Sequence, residues 1–144
     1  MDSYPLLEEQ VYPVASREFI AAHELRGPQC LGRVPLLQLE NFTSPLMDWN
    51  TWLQTGVTPI IRRLTTYAMV LEAARFGHGV ALGWHPYVRQ AVEKGDLVRL
   101  PIEERTSTYR EFLVVKSASR RRFSVEQTKD WIIELARASG QASL

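Results

Sequence analysis

Short apolar, β-branched runs alternate along this chain with stretches whose apolar residues recur every three to four positions. The first kind reads as strands and the second as amphipathic helices. Strands are predicted at "VYPVA" (11–15), "PLLQLE" (35–40), "PIIRRLT" (59–65), "GVALGW" (79–84), "LVRLP" (97–101) and "TYREFLVVKS" (108–117). Helices are predicted at "SREFIAAHE" (16–24), "MDWNTWLQTG" (47–56), Tyr67 to Phe76, "YVRQAVEKGD" (87–96) and "SVEQTKDWIIELARASG" (124–140). Ser16 is placed to cap the first helix, and Thr65 or Thr66 the third. Ser124 and Gln127 have the spacing of a capping box. Gly56 and Gly77 are placed to end helices. In the third helix Met69, Val70, Ala73, Ala74 and Phe76 make a wide apolar face. "GVALGW" is continuously apolar, as expected of a strand in a parallel sheet covered on both faces. Strand–helix alternation with short links predicts an α/β fold with a parallel or mixed sheet.

Composition narrows the function. The chain has 144 residues, 45% of them hydrophobic, enough for one domain or two small lobes. The 17 basic and 16 acidic residues nearly cancel, leaving +1. That balance argues against a chain whose main task is to grip a nucleic-acid backbone. The basic cluster Arg120 to Arg122 reads as a solvated turn, with an anion or partner contact as the alternative. No apolar run approaches the ~20 residues of a membrane span, and the N-terminus lacks the pattern of a secretory signal. The single cysteine, Cys30, leaves no internal disulfide, and a reducing cytoplasm is the simplest setting.

Catalytic and metal chemistry find little support. His78, His85 and Glu72 could be drawn together as metal ligands, but no His-x-x-x-His pair or acidic cluster accompanies them. Capping or surface histidines are the plainer reading. Cys30 has no histidine near it in sequence, and G-x-S-x-G is absent. "GHGVALG" follows a helix and enters a strand, the reverse of a phosphate-binding loop, so Gly77 and Gly79 are read as serving backbone geometry. The aromatic set Trp49, Trp52, Tyr67, Trp84 and Tyr87 lies near predicted strand ends and helix starts, where open α/β sheets collect ligands. Trp49 and Trp52 also fit a plain packing role. The helix start at Thr65–Thr66–Tyr67 offers unpaired amides and a positive dipole end to a small anion.

Taken together, "VYPVASREFIAAH", "PLLQLEN", "YAMVLEAARFGHGVALGWHPYVRQAVEKGDLVRL" and "YREFLVVK" with its closing amphipathic helix resemble the effector-binding domain of LysR-type transcriptional regulators. "MDWNTWLQTG" is similar to the short helix of the branch close to glycine-cleavage activators. The resemblance runs from about Leu7 to Ala138. It implies a periplasmic-binding-protein-like (type 2) α/β fold of two lobes, a mixed sheet flanked by helices, with the effector in the cleft between the lobes. Residues 1–14 would be a crossover strand from the first lobe and 15–107 the second lobe. Residues 108–144 would return to the first lobe. The opening portion of that lobe and the winged helix-turn-helix have no counterpart in these residues. The chain is therefore expected to be truncated at its N-terminus, with one lobe incomplete and DNA reached only through the absent segment.

The resemblance also implies effector contacts from the segment after "PLLQLE" and from the start of the helix at Tyr67: Glu40, Asn41, Thr66, Tyr67 and Ala68. Trp84 joins them on geometric grounds alone. The implied function is non-catalytic: a cytoplasmic sensor without cofactor or metal that takes a small-molecule effector, a zwitterion or small anion, within a homo-oligomer. The helices at 67–76 and 16–24 are candidate pairing surfaces. The competing reading, a stand-alone solute-binding protein or a small α/β enzyme, requires a secretion signal or a catalytic pair, and neither is visible in the sequence.

Overall fold

The computed structural model describes residues 1–119 and 122–139. Two of the three arginines of the basic cluster, Arg120 and Arg121, fall outside them. The chain divides into two compact units, one of Gln10–Thr106 and one of Met1–Glu9 with Ser107–Leu144.

Six strands, β1 (Asp2–Ala15), β2 (Pro35–Leu39), β3 (Ile60–Leu64), β4 (Val80–Trp84), β5 (Val98–Arg99) and β6 (Arg105–Val115), form one mixed sheet. Its order is β3-β2-β4-β1-β5, and β6 also pairs with β1. β2 is parallel to both β3 and β4, whereas β1 is antiparallel to β4 and β5. Among the described residues four α-helices accompany them: α1 (Arg17–His23), α2 (Tyr67–Arg75), α3 (His85–Glu93) and α4 (Phe123–Ala138).

In the larger unit the period-two alternation of strands builds two cores on opposite faces of the sheet. Val11, Ala15, Leu36, Val80 and Leu82 point to one side, where Phe19 of α1, Leu31, Trp49 and Trp52 cover them. Tyr12, Val14, Leu37 and Ala81 point to the other, against Val70 and Ala74 of α2 and Val88 of α3. Ser16 caps α1 through a bond from the Phe19 amide at 3.1 Å. Gly77 follows α2 with φ of 77°, a left-handed conformation that a Cβ would strain. Gly79 answers to a different constraint: a Cβ there would lie 2.5 Å from the Pro35 carbonyl oxygen of the neighbouring strand. The absence of a side chain lets β4 run close beside β2.

Several elements depart from the sequence pattern. β1 begins nine residues earlier than the predicted 11–15, because its N-terminal half, of mixed polar and apolar residues, pairs with the distant β6 and tolerates Pro5 at an exposed position. The predicted helix at 47–56 is two 3₁₀ turns, Pro45–Met47 and Trp49–Thr51. The buried amide of Gln38 imposes this: its Nε2 donates to the Leu39 and Met47 carbonyls at 3.0 and 2.8 Å, and its Oε1 accepts from the Trp49 amide at 3.0 Å. With these groups held by Gln38 and Asp48 capping Asn50, the segment cannot wind into an α-helix. α3 starts at His85 rather than Tyr87, since Pro86 occupies a first-turn position where no amide is needed. The predicted strand at 97–101 shortens to Val98–Arg99.

Two helix-end details also differ. α4 starts at Phe123, so Ser124 lies inside the first turn and the capping box does not form. Ser124 instead offers its carbonyl to the Thr128 hydroxyl at 2.8 Å. On α2, Met69 and Phe76 are exposed, because only Val70 and Ala74 face the sheet squarely and Phe76 sits past the last turn.

The smaller unit contains the first part of β1, most of β6 and α4. In it Ser107 donates to the buried carboxylate of Glu9, and the Lys129 ammonium lies 5.2 Å from the Tyr4 ring centroid. Phe112, Val114, Phe123, Trp131 and Leu135 remain exposed.

Replacing Gln38 with the near-isosteric Met leaves two carbonyls and an amide without their partner. The expected loss in unfolding free energy exceeds about 1 kcal/mol, read from chemical denaturation followed by tryptophan fluorescence.

Candidate functional site

Because β3, β2 and β4 are parallel, their carboxyl ends emerge at one edge of the sheet. Leu39 pairs with Leu64, and the Glu40 amide extends that ladder by donating to the Leu64 carbonyl at 3.0 Å. Glu40 and Asn41 therefore follow β2 at the same edge where Thr66, Tyr67 and Ala68 follow β3 and Trp84 ends β4. The topology brings all six expected residues to one end of three adjacent strands. Glu40, Asn41, Thr66 and Ala68 are exposed there, and Tyr67 and Trp84 are half-buried.

The first turn of α2 is capped by Thr66, not Thr65: its Oγ1 accepts from the Met69 amide at 3.3 Å. Thr65 turns instead toward the Met69 sulfur. The amides of Tyr67 and Ala68 precede any carbonyl of the helix that could accept from them, so the dipole of the turn points its positive end outward.

Tyr67 has a structural duty that its sequence position does not announce. Its hydroxyl donates to the Leu82 carbonyl at 2.8 Å and accepts from the Trp84 amide at 2.7 Å. Burial pushes the phenol well above its ordinary range, against the opposing pull of the Trp84 amide. The hydroxyl stays protonated and committed to β4, so what Tyr67 presents at the edge is its backbone amide. The aromatic rings pack on one another: Tyr67 meets Tyr87 edge-on at 5.7 Å, and Trp84 lies against Tyr87 at 5.0 Å. Rings this close leave no slot between them for a ligand group.

Trp49 and Trp52 are core residues. Both are buried, and their indole N–H groups donate to the Leu37 and Leu46 carbonyls at 2.8 Å each. His78 is an exposed turn residue. Among the described residues no group of three or more His, Cys, Asp or Glu side chains is placed to hold a metal ion, and no helix is long and apolar enough to cross a membrane.

Sequence reasoning missed the surroundings of His85. Its Nδ1 lies 2.7 Å from the hydroxyl of Tyr12, a buried residue of β1, and the Arg99 guanidinium sits 3.9 Å over the Tyr12 ring. Arg99 in turn meets Glu104 at 2.6 Å. The strand period puts Tyr12 on the face shared with α3, but the pairing of β1 with β4 and β5, which brings these groups together, is long-range.

Residues 1–137 match the family model described as the LysR substrate binding domain. The chain belongs to this family. Its members are non-enzymatic domains of transcription regulators. The α/β mixed sheet flanked by helices, with its periplasmic-binding-protein-like fold, is that of LysR-type effector domains. The effector domain of the transcriptional regulator AmpR of Pseudomonas aeruginosa superposes with a TM-score of 0.74 at 21% identity, covering 96% of this chain and 66% of that one. The C-terminal domains of a LysR family protein from Agrobacterium tumefaciens give a TM-score of 0.68 at 22% identity, with 95% and 66% covered. The full-length Vibrio cholerae virulence activator AphB gives 0.71 at 19% identity, with 94% and 48% covered. The chain thus spans about two thirds of these effector-domain chains and about half of the full-length one. No curated protein matches it.

Removing the Tyr67 hydroxyl with Tyr67→Phe strands a strand carbonyl and a strand amide. Unfolding free energy is expected to fall by about 1–3 kcal/mol, seen as a lower denaturation midpoint at unchanged slope.

Proposed function

We propose that this chain is the effector-sensing portion of a LysR-type transcriptional regulator, working in the cytoplasm, and that it holds a small metabolite without transforming it. Residues 15–107 correspond in this reading to the second lobe, and residues 1–14 and 108–144 to crossover strand and returning helix of the first. One observation supports the site more than any other: three parallel strands deliver Glu40, Asn41, Thr66, Tyr67, Ala68 and Trp84 to a single edge.

The chemistry there suits a zwitterion or small anion. The first-turn amides of Tyr67 and Ala68 and the α2 dipole favour a carboxylate or sulfate group. The exposed Glu40 carboxylate, on the adjoining strand end, favours a cationic group at the other end of the same ligand. Occupancy would be relayed to a DNA-binding segment outside these residues by a shift between conformations of a homo-oligomer. α1 and α2, with Met69 and Phe76 exposed on and beside the latter, are the proposed pairing surfaces.

Calorimetric titration with glycine betaine, choline sulfate and a panel of amino acids tests this reading. Saturable heat is expected from at least one of them. Ala68→Glu discriminates the site from the fold. A carboxylate in the first turn of a helix is favourable or neutral for stability, yet it opposes an anionic group at the helix mouth, so affinity should fall at least tenfold, about 1.4 kcal/mol, while the melting temperature holds. Absence of heat from every compound, or binding unaffected by Ala68→Glu, overturns the proposal.

A further inference from the structure

His85 stands at the joint between the end of β4 and the start of α3, directly after Trp84. The Tyr12 hydroxyl and His85 Nδ1 lie 2.7 Å apart; in the neutral ring that carries its proton on Nε2, the hydroxyl is the donor and Nδ1 the acceptor. The two rings meet edge to face at 5.6 Å.

Every element packed around this imidazole brings charge or dipole to bear on it. From β5, Arg99 lies over the Tyr12 ring, held by Glu104. From α3 come Arg89 and Glu93, themselves 3.8 Å apart. The amino end of α3 adds the positive pole of its dipole at the histidine itself. Burial lowers the affinity of His85 for a proton, Arg99 and Arg89 lower it further, and Glu104 and Glu93 act in the opposite sense. Tyr12, buried in the same cluster, is held in its phenol form, chiefly by burial.

We propose that His85 is a proton switch for the β4–α3 joint: taking up a proton reverses its bond with Tyr12 and displaces Trp84 and Tyr87 from Tyr67. Once both ring nitrogens carry hydrogen, Nδ1 can only donate. The Tyr12 hydroxyl must then become the acceptor, and its own hydrogen loses the partner it had. The imidazolium is disfavoured first by burial and then by two arginines and a helix amino end, with Glu104 and Glu93 opposing them, so the favourable movement is outward, toward solvent. Such a movement pulls on the backbone of Trp84, whose amide donates to Tyr67 and whose ring rests on Tyr87.

The sign of the linkage follows from the direction of the shift. A histidine whose proton affinity is lower in the folded state than its unfolded value of about 6.5 contributes stability that is complete above that pH. The contribution is lost as pH falls through the folded value. Acidification therefore loosens this joint. The consequence for ligand affinity rests on the effector reading above; the structural switch does not.

The test is a ligand-free pH titration of the isotope-labelled chain from pH 8 to 5 by NMR, following the His85 ring and the Trp84 indole N–H. His85 is expected to titrate with a midpoint below about 6.5, and the Trp84 signal to move with the same midpoint. In His85→Asn the Trp84 response should vanish. In Tyr12→Phe, which keeps the ring but removes the donor to Nδ1, both midpoints should rise together. A Trp84 signal that stays flat while His85 titrates overturns the switch, as does one that moves equally in His85→Asn. Neither result touches the effector proposal, because no ligand is present.

Discussion

One phenol hydroxyl joins the first turn of α2 to the end of β4. Tyr67 both donates to the Leu82 carbonyl and accepts from the Trp84 amide, closing the edge of β4 that runs on past its pairing with β2. A buried strand end with an unpaired amide and carbonyl is costly. Here a single side chain, projecting from the helix that follows β3, two strands away in the sheet, satisfies both. The same link holds the amino end of α2 at the carboxyl edge of the sheet, and that edge is where the candidate site lies. Fold and candidate site thus share one interaction, the Tyr67 hydroxyl that braces β4.

The second constraint is the close approach of parallel strands. β4 can lie beside β2 because Gly79 places only hydrogen against the Pro35 carbonyl. On the far side of β2, Gln38 is buried and engages three backbone groups of and around the 3₁₀ turns that carry Trp49. The tryptophans are thereby drawn into the core with their indole N–H groups bonded to carbonyls. What remains at the edge is polar, backbone-rich and exposed: Glu40, Asn41, Thr66 and Ala68. Edges of this kind are where open α/β sheets collect ligands, and the chain belongs to the LysR substrate binding domain family.

The two units differ in how much they bury. The larger one closes both faces of its sheet with helices and turns. The smaller one leaves Phe112, Val114, Trp131 and Leu135 open to solvent. The matched effector-domain structures are longer than this chain by about a third of their own length.

Local pattern determined a good deal by itself. The alternation of strand and helix, the caps at Ser16 and Thr66, and the both-sided burial of "GVALGW" are short-range signals: each depends on neighbours a few residues away, and each was legible. The convergence of Glu40, Tyr67 and Trp84 was half legible, since the rule that ligands gather at carboxyl ends of parallel strands needs only the order of elements. Tertiary structure alone decided the rest. Gln38 turned a predicted helix into 3₁₀ turns, β6 drew out a strand over the mixed polar and apolar residues 2–10, and Tyr12, His85 and Arg99 met across three elements. In each of those cases the deciding partner is eight or more residues distant in the chain. Local pattern therefore carries no record of the hydrogen bond or pairing that outweighs it.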